Sequence, residues 1–329
     1  MLDDRISTTA YFCGDHHKPE EMIQKAIDDG NTILFTTSPV LLPAGLRAAV
    51  AHPELTILNC SLGKSHRYVR TYYARMYEIK FLAGAIAGIL AEKNDVGYIC
   101  DYPIFGQIAG INAFALGVEM VNPDAKVYLE WSGTDSVTAA TERLTSRGIR
   151  LISSQDIAKL NSIEHTSFGL YRIEEDGTQT SLARPVWNWG VYYETLLRRI
   201  LNRTLQTEYA GSDHALNYYW GMSAGVVELR HSGALPEGVH RLVRVLQKSI
   251  RSGVCDPLRG PIYAQGHVQK LQAHTSFTYE QIIHMDWLAE NVIGSILPYE
   301  QLTAIGRATA DMMGIDRAVK ANAVEGKTT

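Results

Sequence analysis

The sequence predicts an α/β protein built on parallel sheets. Residues 96–131 read as strand, loop, helix and strand in one run, and residues 19–60 show the same alternation in shorter steps. A strand joined to its parallel neighbour needs a crossover of a dozen or more residues, usually a helix. The length, 329 residues, gives room for two lobes of ordinary domain size.

The elements follow in order. Residues 7–13 read as a strand. Residues 19–29 read as a helix: Pro19 stands in the first turn, Glu20 and Glu21 suit the helix dipole, and Met22, Ile23, Ala26 and Ile27 share a face. Gly30 ends it, and 32–36 is a buried strand. Ser38-Pro39 turns the chain into a helix over 44–51, before a strand over 55–60. A polar patch, 63–67, precedes a strand over 68–73 and a helix over 78–91. The apolar run 96–100 is the next strand. Asp101-Tyr102-Pro103 breaks it, because proline cannot donate to a ladder and restricts the residue before it. Ile108, Ile111, Ala115 and Val118 mark one buried helix face, Asn122-Pro123-Asp124 stops that helix, and 127–131 is a strand.

A helix over 137–146 is closed by Gly148, and a strand over 150–153 carries Ser154, Gln155 and Asp156 at its carboxyl end. Glu174-Glu175-Asp176-Gly177 reads as a solvated turn after a strand over 169–173. Residues 182–186 are extended, 191–202 form a helix, and the aromatic stretch 216–220 is extended. In a helix over 239–252, Leu242, Val245, Leu246 and Ile250 face one way and Arg241, Arg244, Lys248 and Arg251 the other. Helices over 278–289 and 299–319 complete the chain.

Hydrophobic residues make up 46% and charged residues 20%, the balance of a globular protein. A net charge of −4 gives no electrostatic reason for binding nucleic acid or an anionic membrane. Cys13, Cys60, Cys100 and Cys255 are dispersed, so they read as free thiols and not as a zinc or disulfide framework. The acidic start lacks the basic and apolar regions of a signal peptide, and no window reaches the roughly 18 apolar residues of a membrane helix. Gly84-x-x-x-Gly88 is bracketed by Lys80 and Glu92 and reads as small residues that let a helix lie close to a sheet.

Several patterns could carry chemistry. Gly221-Met222-Ser223-Ala224-Gly225 matches Gly-x-Ser-x-Gly, which marks a nucleophile only on a strand–turn–helix. The sequel is not clearly helical, so a tight turn is the better reading and an esterase through Ser223 the weaker one. His16-His17 reads as an exposed turn, since adjacent histidines rarely reach one metal. No phosphate loop or dinucleotide fingerprint occurs, so no cofactor, metal or catalytic residue is expected. Tyr72, Tyr73, Tyr102, Phe105, Trp187, Trp189 and Trp220 stand at strand ends and breaks. Any one of them fits a core as well as a ligand wall. Several beside Asn, Gln and Asp point to a flat or sugar-like ligand.

A family resemblance follows from longer motifs. The run Tyr72-Tyr73-Ala74-Arg75-Met76-Tyr77-Glu78-Ile79-Lys80-Phe81-Leu82-Ala83-Gly84 resembles the signature of the basic-membrane-protein (PnrA-like) substrate-binding proteins of ABC transporters. So do Gly97-Tyr98, Ile111-Asn112-Ala113-Phe114-Ala115-Leu116-Gly117 with Asn122-Pro123, and Trp187-Asn188-Trp189-Gly190 with Tyr192-Tyr193-Glu194. Asp256-Pro257-Leu258-Arg259-Gly260-Pro261-Ile262 with Gly266, Met285-Asp286-Trp287-Leu288 with Asn291-Val292, and Gly294 extend it, so that it covers 26–298.

The resemblance implies a type I periplasmic-binding fold. Two Rossmann-like lobes with parallel sheets are joined by three crossing strands and close like jaws on a solute, often a purine nucleoside. It places the crossings near 71–73, 183–187 and 217–221. Lobe I would then be 1–72 with 186–216, lobe II 73–185 with 217–298, and 299–329 a C-terminal helix and tail. Three family features have no counterpart here: an opening strand and helix bearing an Asp and a Phe-Asn pair, the lipoprotein signal ahead of them, and a Lys near the second crossing, where Val186 and Trp187 stand. The family's acid before the first crossing is Asn59. The chain therefore reads as a fragment or a divergent intracellular relative, with an uncovered edge in lobe I that favours self-association or a partner's covering segment.

These readings converge on a non-enzymatic solute-binding protein for a ring-shaped, nucleoside-like solute, with an ABC permease as partner if exported, and no nucleic acid. Its cleft would be lined by Asn59, Ser61, Tyr72, Tyr102, Phe105, Gln155, Asp156, Trp187, Asn188 and Trp220. Tyr102, Phe105 and the tryptophans would stack; Asn59, Gln155, Asp156 and Asn188 would hydrogen-bond. The alternative is a cytoplasmic ligand-sensing regulatory protein of the same fold.

Overall fold

The structure, a computed structural model, describes residues 6–13, 18–62, 68–154, 168–202, 204 and 218–315. The chain divides into two compact units: residues 1–73 with 189–219, and 74–188 with 220–329. It passes between them after Tyr73, Asn188 and Tyr219. The C-terminal segment from 299 onward belongs to the second unit.

The first unit opens with α1 (Pro19–Asp28), β1 (Ile33–Thr36), α2 (Leu42–Ala51), β2 (Thr56–Cys60) and β3 (Val69–Ala74). β1 and β2 pair in parallel, as do β2 and β3. Thr36 lies opposite Asn59, and Cys60 opposite Tyr72, so these side chains meet at the carboxyl ends of the strands. Ile23 and Ala26 of α1 and Ala44 and Ala49 of α2 bury Leu34, Ile57 and Val69 of the strands. Residues 6–13 form no strand. Ser7 to Ala10 are all exposed, without the alternation a ladder would impose, and only Tyr11 leans on this core. Its hydroxyl donates to Asp29 and accepts from the Asn31 amide.

The second unit carries α3 (Met76–Leu90), β4 (Asp95–Cys100), α4 (Gln107–Val121), β5 (Lys126–Trp131), α5 (Val137–Ser146), β6 (Leu151–Ser154), β7 (Gly169–Ile173) and β8 (Gln179–Trp187). The chain then returns to the first unit for α6 (Trp189–Leu201) and β9 (Tyr218–Trp220), the neighbour of β3 in the sheet order β1-β2-β3-β9. β10 (Val227–His231), α7 (Glu237–Arg251), β11 (Ile262–Ala264), β12 (Val268–Leu271), α8 (Tyr279–Ile283), β13 (Val292–Ile293) and α9 (Ala304–Met313) follow in the second unit.

The larger sheet runs β10-β8-β7-β6-β4-β5-β13. Its β6-β4-β5-β13 part is parallel, as the strand–helix–strand pattern predicts. Its other part is antiparallel. For β7 and β8 the reason is loop length: they are joined by the solvated turn at 174–178, closed by Glu174 N–H to Thr178 O at 2.8 Å, too short for a crossover.

Gly84 and Gly88 serve a helix pair and not a helix on a sheet. A Cβ at Gly84 would lie 2.0 Å from the Phe114 carbonyl oxygen, and one at Gly117 2.1 Å from that of Phe81. Bare glycine backbone is what lets α3 and α4 touch. Val245 on α7 is 61% exposed, against the sequence reading, because the buried face runs through Val239, Val243 and Ile250.

The helix read over 278–289 stops at Ile283. Asn112 of α4 claims the backbone beyond it, donating to Trp287 O at 2.7 Å and accepting from Ala289 N–H at 2.8 Å. The helix read over 299–319 begins only at Ala304, where Thr303 caps it by accepting from Gly306 N–H, and gives way at Gly314. Residues beyond 315 lie outside the described set. The Ser223 segment is a short 3-10 turn, Met222–Ala224, released by Gly225 at φ 73° and followed by a strand, not a helix. The esterase reading loses its structural basis. Among the described residues, no helix is long and apolar enough to cross a membrane, and no three His, Cys, Asp or Glu side chains gather as a metal site.

Candidate functional site

In open parallel sheets, ligands sit beyond the carboxyl ends of the strands. In the first unit that edge is formed by Thr36, Asn59, Cys60, Ser61 and Tyr72. Asn59 is 0% exposed, and its amide nitrogen donates to Thr36 Oγ1 at 2.7 Å and to Ser38 O at 2.9 Å. Both amide protons are therefore used, and the orientation is fixed. Its Oδ1 has no protein partner, nor has the Ser61 hydroxyl. A buried oxygen left this way costs about 1–3 kcal/mol until something donates to it.

An aromatic cluster stands beside these groups. Tyr72, also 0% exposed, is its centre, with the rings of Phe35 at 6.0 Å, Trp189 at 5.8 Å, Tyr192 at 5.3 Å and Tyr193 at 5.8 Å. Trp189 stacks on Tyr193, with 19° between the planes. The Tyr72 and Tyr193 hydroxyls are 3.1 Å apart, and Tyr192 donates to Tyr218 O at 2.6 Å. Tyr72 thus organises the cluster, while the partly open rings are Phe35, Trp189 and Tyr193. Phe35 and Tyr193 were missed in the sequence. The available signal was the i, i+3, i+4 spacing of Trp189, Tyr192 and Tyr193 on one helix face. Burial pushes the Cys60 thiol up to about 12 and raises Tyr72 and Tyr192 well above the usual phenol range. These three groups are therefore uncharged at neutral pH.

The second unit presents Cys100, Asp101 and Tyr102 at the end of β4. Asp101 accepts from the Ser132 hydroxyl, and the Cys100 thiol donates to Gln107 Oε1 at 3.8 Å. Phe105 meets the His284 ring edge-on at 4.4 Å, and its N–H donates to Gly314 O at 3.0 Å. A Cβ at Gly306 would lie 2.8 Å from the Tyr102 ring, so α9 rests against Tyr102 while the residue after it covers Phe105. Trp187 ends β8 near Phe168, with its indole nitrogen buried and unpartnered. Asn188 donates to Gly225 O at 3.1 Å, and Trp220 O accepts from Arg75 N–H at 2.8 Å.

The candidates therefore fall into groups. Asn59, Ser61 and Tyr72 meet in the first unit. Tyr102 and Phe105 lie together under the C-terminal segment of the second. Trp187, Asn188 and Trp220 flank the crossings. Gln155, Asp156, His16 and His17 lie outside the described residues. Sequence reasoning passed over Lys80, a buried ammonium in the apolar α3, 4.9 Å above the Tyr98 ring and 3.4 Å from the Ser153 hydroxyl.

Residues 20–251 match the family model described as ABC transporter substrate-binding protein, PnrA-like. The chain belongs to this family. It is 26% identical over 305 residues to a purine-binding protein of Brucella abortus, covering 88% of this chain and 84% of that one. It is 27% identical over 192 residues to a putative ABC transporter glucose-binding protein of Haloferax volcanii, covering 55% of this chain and 47% of that one. Among solved structures, a transcriptional activator of the comK gene from Bacillus halodurans superimposes with a TM-score of 0.53 at 14% identity, over 71% of this chain and 83% of that one. An ABC transporter solute-binding protein from Conexibacter woesei gives 0.51 at 15% identity, over 72% and 83%. These likenesses establish the fold, which is that of the periplasmic-binding proteins.

Proposed function

We propose that this PnrA-like chain binds a neutral, ring-shaped, nucleoside-like solute and, without catalysing a reaction, delivers it to an ABC permease. The observation that carries this reading is Asn59. With both amide protons held by Thr36 and Ser38, it can only accept, and its free oxygen lies in an uncharged wall beside a cluster of rings. A flat heterocycle bearing an N–H fits that demand, stacking on a ring while donating to Asn59. A carboxylate or phosphate does not, since it would bring only acceptors to an acceptor. The Brucella relative's purine-binding description supports the same class of solute. The three crossings suit closure of one unit towards the other on binding.

The test is a thermal-shift and tryptophan-fluorescence panel of purine bases, nucleosides and sugars on the full chain. A ligand at a hundred times its Kd adds about 2.7 kcal/mol of stability, which moves Tm by several degrees. A matching fall in the radius of gyration would support closure. A folded protein that answers to no member of the panel would overturn the reading.

A further inference from the structure

Glu78 is a buried carboxylate that the solute site does not use. It lies in the first turn of α3, soon after the first crossing, and is 5% exposed. Its Oε2 accepts from Met222 N–H at 2.6 Å, and Met222 opens the turn just past the third crossing. A Cβ at Gly221 would lie 2.3 Å from both carboxylate oxygens, so only glycine backbone fits beside them. Arg75 completes the joint. Its N–H donates to Trp220 O at 2.8 Å, its guanidinium stands 3.7 Å from Glu78 Oε1, and it rests 4.7 Å over the Tyr279 ring. All these groups belong to the second unit.

A buried charge is costly unless it is satisfied, and an apolar residue of similar size would serve packing equally well. What it could not do is hold the Met222 amide. Burial raises the Glu78 carboxyl above its usual range, while the Met222 N–H and Arg75 act against that shift and the helix dipole favours a negative group in this first turn.

We propose that Glu78 is the positioning residue of the hinge: it clamps the Gly221–Met222 turn to the start of α3, so that the first and third crossing segments leave the second unit as one body. It acts on solute affinity through this joint, without touching solute. Only that last effect rests on the solute-binding reading.

The test is hydrogen exchange on the ligand-free full chain, with adenine as the binding probe in parallel. In Glu78→Ala, the amides of 72–76 and 218–224 exchange at least tenfold faster, while those of α4 keep their protection. Glu78→Gln, which retains an acceptor for Met222 N–H, recovers most of the protection and most of any adenine affinity that Glu78→Ala loses. Should Glu78→Ala fail to fold, Gly221→Ala decides, because its methyl group pushes the carboxylate aside and must loosen the same amides. Unchanged exchange at Met222 in the folded variant overturns the proposal, as does equal loosening of α4. A localised change in exchange with no adenine response in the wild type supports the clamp and counts against adenine as the solute.

Discussion

The two units treat several polar groups at their strand ends differently, although the Ser154 hydroxyl and the Trp187 indole nitrogen of the second are, like Asn59 Oδ1 of the first, buried without a protein partner. In the second, Asp101 is taken by Ser132, Cys100 by Gln107 and Asn188 by Gly225, while α9 and the residue after it cover Tyr102 and Phe105. In the first, Asn59 Oδ1 and Ser61 Oγ are buried with no protein partner. The first face is built as if a group were to be added, whereas the second has internal partners for the groups just named.

The sharpest way to break this contrast is to charge the first face. Asn59→Asp replaces two donated bonds with an anion facing the Ser38 carbonyl oxygen, and should cost about 3–5 kcal/mol of stability, read as a lower urea midpoint. A fall of less than about 1 kcal/mol would mean water reaches this site freely. Next in size is the helix pair of the second unit. Gly117→Val drives a side chain into the Phe81 carbonyl and should cost about 1–3 kcal/mol or more in thermal unfolding.

A pH prediction follows from Cys60. Its thiol ionises near the ordinary 9.0 in the unfolded chain but only at about 12 in the folded one. Between these values the native state holds a proton that the unfolded state has lost, so stability falls as pH rises. At about pH 10.5 the loss is about 2 kcal/mol, at 1.36 kcal/mol per pH unit, and Cys60→Ser should flatten the curve in urea unfolding. The smallest effect tests the satisfied face: Asp101→Asn keeps an acceptor for Ser132 and should cost only about 1 kcal/mol by the same assay.

The alternation of strands and helices was legible because it is local. Periods of 2 and 3.6 residues mark each element without knowledge of its neighbours. Strand direction was less so: β7 and β8 look the same in sequence whether parallel or antiparallel, and only the short turn at 174–178 decides. The helix over 278–289 was misread because Asn112, far away in sequence, competes for its backbone. At the site, Asn59 was visible as a polar residue ending a strand. Its fixed orientation was not, since that depends on the β1–β2 register bringing Thr36 opposite it. Phe35 and Tyr193 join the wall through the same tertiary pairing and the packing of α6.

The most direct measurement is isothermal titration of adenine and the nucleosides against the wild type and Asn59→Ala, with folding of both checked by circular dichroism. The account predicts saturable binding of at least one N–H-bearing ring by the wild type, and at least tenfold weaker binding by the variant. Equal affinity in both proteins would contradict it.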